Sequence, residues 1–150
     1  MNFIGEISPS SSSGFSWILV ATDYFTKWVE AIPTRNSASK VVNNFLLNNM
    51  ITRLGCPERI VIDNSMCFRS EEFIKFYEKY GITKLVSSLY HPQGNGQEES
   101  KNKSLLKVIK RTLDDKKKAW DSKFKLAIWD DRVIVKKAIG VSPFDLLYGI

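Results

Sequence analysis

FSWILVATDYFTKWVEAIP, residues 15–33, is the stretch whose reading decides the fold. Residues 15–24 and 27–33 are dense in β-branched and aromatic side chains, with a tight connection between them. That pattern predicts two successive strands. Upstream, NFIGEI (2–7) reads as a short strand that starts abruptly, and SPSSSSG (8–14) as a serine- and glycine-rich turn. Three strands in quick succession predict an antiparallel meander.

Downstream the period changes. Val41, Val42, Phe45, Leu46, Met50 and Leu54 recur at helical spacing across 39–54, and Gly55 follows as a stop. RIVID (59–63) is a continuous apolar run of the kind expected in a buried strand. Ser70 can cap a helix that carries Glu71 and Glu72 in its first turn and ends at Gly81. ITKLVSS (82–88) predicts a fifth strand, and two basic helices follow, from Glu98 to about Lys116 and from Trp120 to about Ile139. The order βββαβαβαα, with no internal repeat and no dividing linker, predicts a single α/β domain over 1–150 with a mixed five-stranded sheet.

Composition bounds the function. The chain is 43% hydrophobic and 12% aromatic, enough to build a core. No apolar run approaches the ~20 residues that span a bilayer, so no membrane partner is expected. Two cysteines are too few for a disulfide framework and point to an intracellular, reducing compartment. With His91 as the one histidine, tetrahedral zinc lacks ligands, and any metal would be a hard cation held by oxygen. Net charge is +6 and unevenly placed. Residues 101–137 carry 13 Lys and Arg against 5 Asp and Glu, a net of +8, whereas the rest carries 9 against 11, a net of −2. Such a segment is either a solvated helix surface or a face that contacts phosphates.

Asp63 closes the strand RIVID, at the strand end where α/β proteins place ligand groups. It could equally cap the turn at Asn64-Ser65. HPQGNGQEESKNKSLLKVIKR (91–111) follows the next strand and brings Glu98 and Glu99 to the same sheet edge, ahead of a basic helix. Acids there could serve the helix dipole. Carboxylates gathered in space are also what divalent-metal phosphoryl transfer needs.

Together, FSWILVATDYFTKWVEAIP, RIVIDNSMCF, HPQGNGQEESKNKSLLKVIKR and VSPFDLLYG resemble the catalytic core of a retroviral-type integrase. The likeness is to those of gypsy-type LTR retrotransposons, plant ones especially, and covers essentially the whole chain. It implies a ribonuclease H-like fold and three catalytic acids that hold Mg²⁺ or Mn²⁺. The 35 residues between Asp63 and Glu99 match the family's interval between its second and third acids. Helical projection puts the apolar set of the basic helix roughly 20° from Glu98 and roughly 80° from Glu99. The motif Asn95-Gly96-Gln97-x-Glu99-x-x-Asn102-Lys103 fits the family only with Glu99 as the acid. The resemblance therefore implies Asp63 and Glu99 as metal ligands and catalytic residues. It places Asn95 and Gln97 at the DNA end, and Lys101, Lys103, Lys107, Lys110 and Arg111 along nucleic acid.

The family's first acid stands in a motif reading Asp-Phe-Ile-Gly-Pro. Here that stretch is Asn2-Phe3-Ile4-Gly5-Glu6, so Asn2 holds the first acid's place. An amide offers one neutral carbonyl where a bridging carboxylate offers two anionic oxygens. Asp23 matches a structural residue on the second strand. Ser65 stands where the family has glycine, and Asp130-Asp131-Arg132 replaces Ala-Tyr-Arg. The zinc-binding and C-terminal DNA-binding domains of full integrases fall outside 1–150.

Three readings follow. The first is an integrase core that trims and joins element DNA to target DNA, acting in the nucleus and pairing as a homodimer. In the second, a non-catalytic relic keeps the fold and some nucleic-acid or protein binding, because Asn2 replaces the first Asp. The third, a ribonuclease H-type nuclease, shares the metal chemistry but not these motifs and ranks last.

Overall fold

The computed structural model describes residues 1–87, 107 and 119–149. Strands β1 (Asn2–Ile4), β2 (Trp17–Thr22) and β3 (Val29–Thr34) form the expected antiparallel meander, in spatial order β1-β2-β3. β2 pairs with β3 along its whole length, whereas β1 covers three of its residues, with Asn2 opposite Val20 and Ile4 opposite Ile18. β1 is shorter than residues 2–7 because of Gly5. This residue has φ +153°, and a Cβ on it would lie 2.7 Å from the Trp17 ring. Only glycine permits that approach.

Alternation along β2 explains why the middle strand is apolar on both faces. Leu19 and Ala21 face one cluster, with Val42, Phe45, Ile62, Phe68 and Phe73. Ile18 and Val20 face a second, with Val29, Trp120, Phe124 and Ile128. Successive strand side chains point to opposite faces, so a strand covered on both sides reads as a continuous hydrophobic run.

The helical run begins as α1 (Ser39–Phe45), widens into a π-helical segment (Leu46–Ile51) and closes as α2 (Thr52–Leu54). The wider winding rotates the tail relative to a regular helix. Ile51 consequently packs on the core, while Leu54, expected inside, is exposed. Gly55 ends the run at φ +96°.

β4 (Arg59–Ile62) pairs in parallel with β5 (Thr83–Val86), completing the mixed set of strands. The ladder divides between β1 and β4, where the Met1 nitrogen donates to the Val61 carbonyl at 2.7 Å. β4 was expected to be buried on both faces. Ile60 and Ile62 are buried, but Val61 and its β5 partner Leu85 are each 41% exposed, because no described helix crosses that face. A 3-10 turn (Met66–Phe68) leads to α3 (Glu71–Lys79), which Ser70 caps as expected by accepting from Phe73 N.

α4 (Trp120–Val133) crosses the meander on Trp120, Phe124 and Ile128. It ends at Val133 rather than near Ile139, since Ile134 turns to extended backbone. α5 (Pro143–Tyr148) was not anticipated; Ser142 caps it, and Gly149 closes it in the left-handed region. The helix expected from Glu98 to about Lys116 lies outside the described residues apart from Lys107, which is helical.

Candidate metal-binding edge and basic surface

The hydrogen bond from Met1 to Val61 sets the start of β1 against the end of β4. Asn2 follows one residue later on its strand, and Asp63 two residues later on its own. Two of the three positions implied to hold metal thus follow directly from the two strands that this hydrogen bond joins. Glu99, the third, lies outside the described residues, as do Glu98, Asn95, Gln97, Lys101, Lys103, Lys110 and Arg111.

Both placed side chains have local hydrogen-bond partners. The Asn2 amide group is half-buried, and its Nδ2 donates to Phe3 O at 3.4 Å. Asp63 Oδ1 accepts from Ser65 N at 2.9 Å and also from the Ser65 hydroxyl. The turn-capping role that the sequence left open for Asp63 is therefore what its carboxylate performs. Cys67, four residues on, has its thiol pushed up, first by burial and then by the Asp63 charge.

Asp23 is not at this edge. Its Oδ1 accepts from Phe25 N at 2.7 Å and Thr26 N at 2.9 Å, so it builds the β2–β3 turn. Val20, the partner of Asn2, is three residues back, about 10 Å along the strand. A carboxylate at that distance cannot stand in for the first acid.

Among the described residues, the donor set does not by itself fit a divalent cation of the Mg²⁺ class. Such ions want several anionic oxygens, and the described residues of this edge offer one carboxylate, half engaged, beside a neutral amide. Among the described residues no group of three His, Cys, Asp or Glu side chains gathers.

The basic segment divides into two kinds of residue. Lys107, Lys123, Lys125 and Lys137 are exposed. Arg132 and Lys136 are not available to a polyanion. Arg132 bonds the Val29 carbonyl through Nε (2.9 Å) and Nη2 (2.7 Å), pairs with Glu30 at 3.1 Å and lies over the Trp28 ring. Lys136 pairs with Asp131 at 2.5 Å.

The residue that sequence reasoning missed is Glu30. It is 3% exposed and bonded to Trp28 Nε1 (2.9 Å), Arg53 (3.3 Å) and Arg132 (3.1 Å). A lone acid in the apolar run WVEAIP was the available signal, since a buried carboxylate must be paired.

Comparison with known proteins decides the family. The family model described as Integrase core domain matches residues 1–92. The chain belongs to the integrase core domain family. Relatives include the Gag-Pol polyprotein of avian reticuloendotheliosis virus, 30% identical over 94% of this chain and 12% of that protein. The Gag-Pol polyprotein of baboon endogenous virus (strain M7) is 32% identical over 96% of this chain and 8% of its own length. For the Pol polyprotein of radiation murine leukemia virus (strain Kaplan) the figures are 31%, 91% and 23%. The integrase core chain thus spans less than a quarter of each. Among solved structures, a chain of the simian T-cell lymphotropic virus intasome in complex with PP2A regulatory subunit B56 gamma superposes with a TM-score of 0.79. Sequence identity is 22%, over 98% of this chain and 54% of that one. The fold is ribonuclease H-like, a mixed α/β arrangement built on an antiparallel three-stranded meander.

Proposed function

We propose that this integrase core, of retrotransposon type, binds DNA through its basic surface and no longer carries out metal-dependent end processing or strand transfer. The observation that carries this reading is Asn2 at the start of β1, set against the β4 end that leads to Asp63. The family's three acids supply the charge that holds Mg²⁺ or Mn²⁺. Here the first of them is neutral, Asn2. DNA, a second copy of the chain and a nuclear location are the partners and setting that go with this reading.

Support for DNA affinity is the net charge of +8 over residues 101–137, with Lys107, Lys123, Lys125 and Lys137 exposed. The test is fluorescence anisotropy on labelled duplexes of unrelated sequence. Phosphate contacts release counterions, so affinity should fall steeply with salt. Each lysine lost should flatten the log–log slope by about 0.9. Lys103→Glu with Lys107→Glu should weaken binding on every duplex alike. Binding that is flat in salt overturns the DNA-binding reading. Strand transfer by the unaltered chain, abolished by Asp63→Ala, overturns the loss of chemistry.

A further inference from the structure

We infer that Ser65 is a second determinant, independent of Asn2, that keeps a divalent cation off this edge of the sheet by committing Asp63 to the turn that follows β4. The inference rests on the integrase-core reading of that edge. Its substance is a local competition for one carboxylate.

Ser65 offers Asp63 two donors, its backbone N–H and its hydroxyl, and both meet the same oxygen, Oδ1. A carboxylate oxygen has about two lone-pair positions, so Oδ1 is filled and only Oδ2 remains. Hydrogen bonds to an ionised acceptor are strong, so a cation reaching Oδ1 must first displace the hydroxyl. The turn has a reason to persist. Ser65 sits in extended backbone at φ −63°, ψ 151°, and its carbonyl accepts from Phe68 N at 3.1 Å. Phe68 is fully buried, stacked on Phe3 and edge-on to Phe73. Asp63 and Ser65 thus help hold a core aromatic in place, and the carboxylate already has work at this turn.

Two effects of Ser65 can be separated. Its backbone N–H orients the carboxylate, the kind of support that helps metal ligands. Its hydroxyl fills the second lone pair. Ser65→Ala keeps the first and removes the second, so it should loosen the competition without losing the orientation.

The test titrates Mn²⁺ alone, following free ion by electron paramagnetic resonance, on five full-length proteins: unaltered, Asn2→Asp, Ser65→Ala, Asn2→Asp with Ser65→Ala, and Asn2→Asp with Ser65→Thr. Thermal melting reports folding. The unaltered chain and Ser65→Ala alone should bind no Mn²⁺, since position 2 is neutral in both. Asn2→Asp should bind weakly. Adding Ser65→Ala should tighten that binding roughly tenfold, about the worth of one charge-assisted hydrogen bond. Adding Ser65→Thr, which restores the hydroxyl, should leave it at the Asn2→Asp level. If Ser65→Ala does not fold, Ser65→Cys, similar in size and a weaker donor, reads the same effect. Equal or weaker Mn²⁺ binding when the hydroxyl is removed overturns the inference, as does silence from every Asn2→Asp protein. DNA affinity is indifferent to all of these outcomes, so the salt titration judges the proposed function separately.

Discussion

Cys67 and Cys56 differ in ways that chemical labelling can read. Cys56 is exposed, and Cys67 is half-buried with its thiol pushed up by burial and then by Asp63. The thiolate is the nucleophile, so the raised thiol is the slower one. At pH 8 iodoacetamide should modify Cys56 about tenfold faster or more, as followed by mass spectrometry. Asp63→Asn removes the smaller cause alone, so Cys67 should speed up and still lag Cys56. The sign for stability follows from the same shift. An unfolded chain ionises Cys67 at lower pH than the folded one, so this contribution to stability is lost as pH rises past the ordinary thiol range. At this scale Asp63 and Ser70 were legible, because an acid at a strand end and a serine before two glutamates are local signals. The occupation of Asp63 by Ser65 was only half legible. The sequence marked the turn, but the hydroxyl's rotamer depends on the fold.

Helix α5 is the shortest of the described helices to carry its own cap. Ser142 Oγ accepts from Asp145 N at 3.0 Å and donates to Asp145 Oδ2 at 2.7 Å, with Pro143 in the first turn. Ser142→Ala should cost about 1 kcal/mol, visible as a lower melting temperature, and Ser142→Asp should not rescue it, because a second carboxylate would face Asp145 Oδ2. The signal was present in VSPFDLLYG as serine, proline, aspartate and a closing glycine, yet the stretch was read only as a motif. The π-helical segment 46–51 was beyond sequence reading for another reason. An inserted backbone residue changes which side chain faces inward, exchanging Leu54 for Ile51, but leaves the apolar composition unaltered.

Across the molecule, the Glu30 carboxylate ties the edge strand to two helices. It joins β3 to Arg53 of α2 and Arg132 of α4, with Trp28 Nε1 as third donor. Glu30→Ala leaves the largely buried Arg132 without its charge partner and should cost about 3–5 kcal/mol. Arg53 is 46% exposed on its side chain, so Arg53→Ala should cost only about 1 kcal/mol or less. Urea denaturation of the two variants checks the order. This clamp was illegible in the sequence because its partners are distant along the chain. Arg132 counted instead toward the basic segment, where its charge seemed free for phosphate. The α/β order and the meander were legible because they rest on local periodicity.

The family match stops at residue 92, but the sandwich does not. Ile18, Val20 and Val29 are covered by Trp120, Phe124 and Ile128, all beyond that boundary. A recombinant piece holding only 1–92 would present a bare apolar sheet with an unprotected edge, the usual route to aggregation. Expressed alone, it should collect in the pellet after lysis and bind hydrophobic dyes. Supplying residues 119–149 as a separate polypeptide should return it to the supernatant, as in a split protein whose halves complement each other. If 1–92 stays dispersed and melts cooperatively, α4 is an ornament rather than a lid on the core.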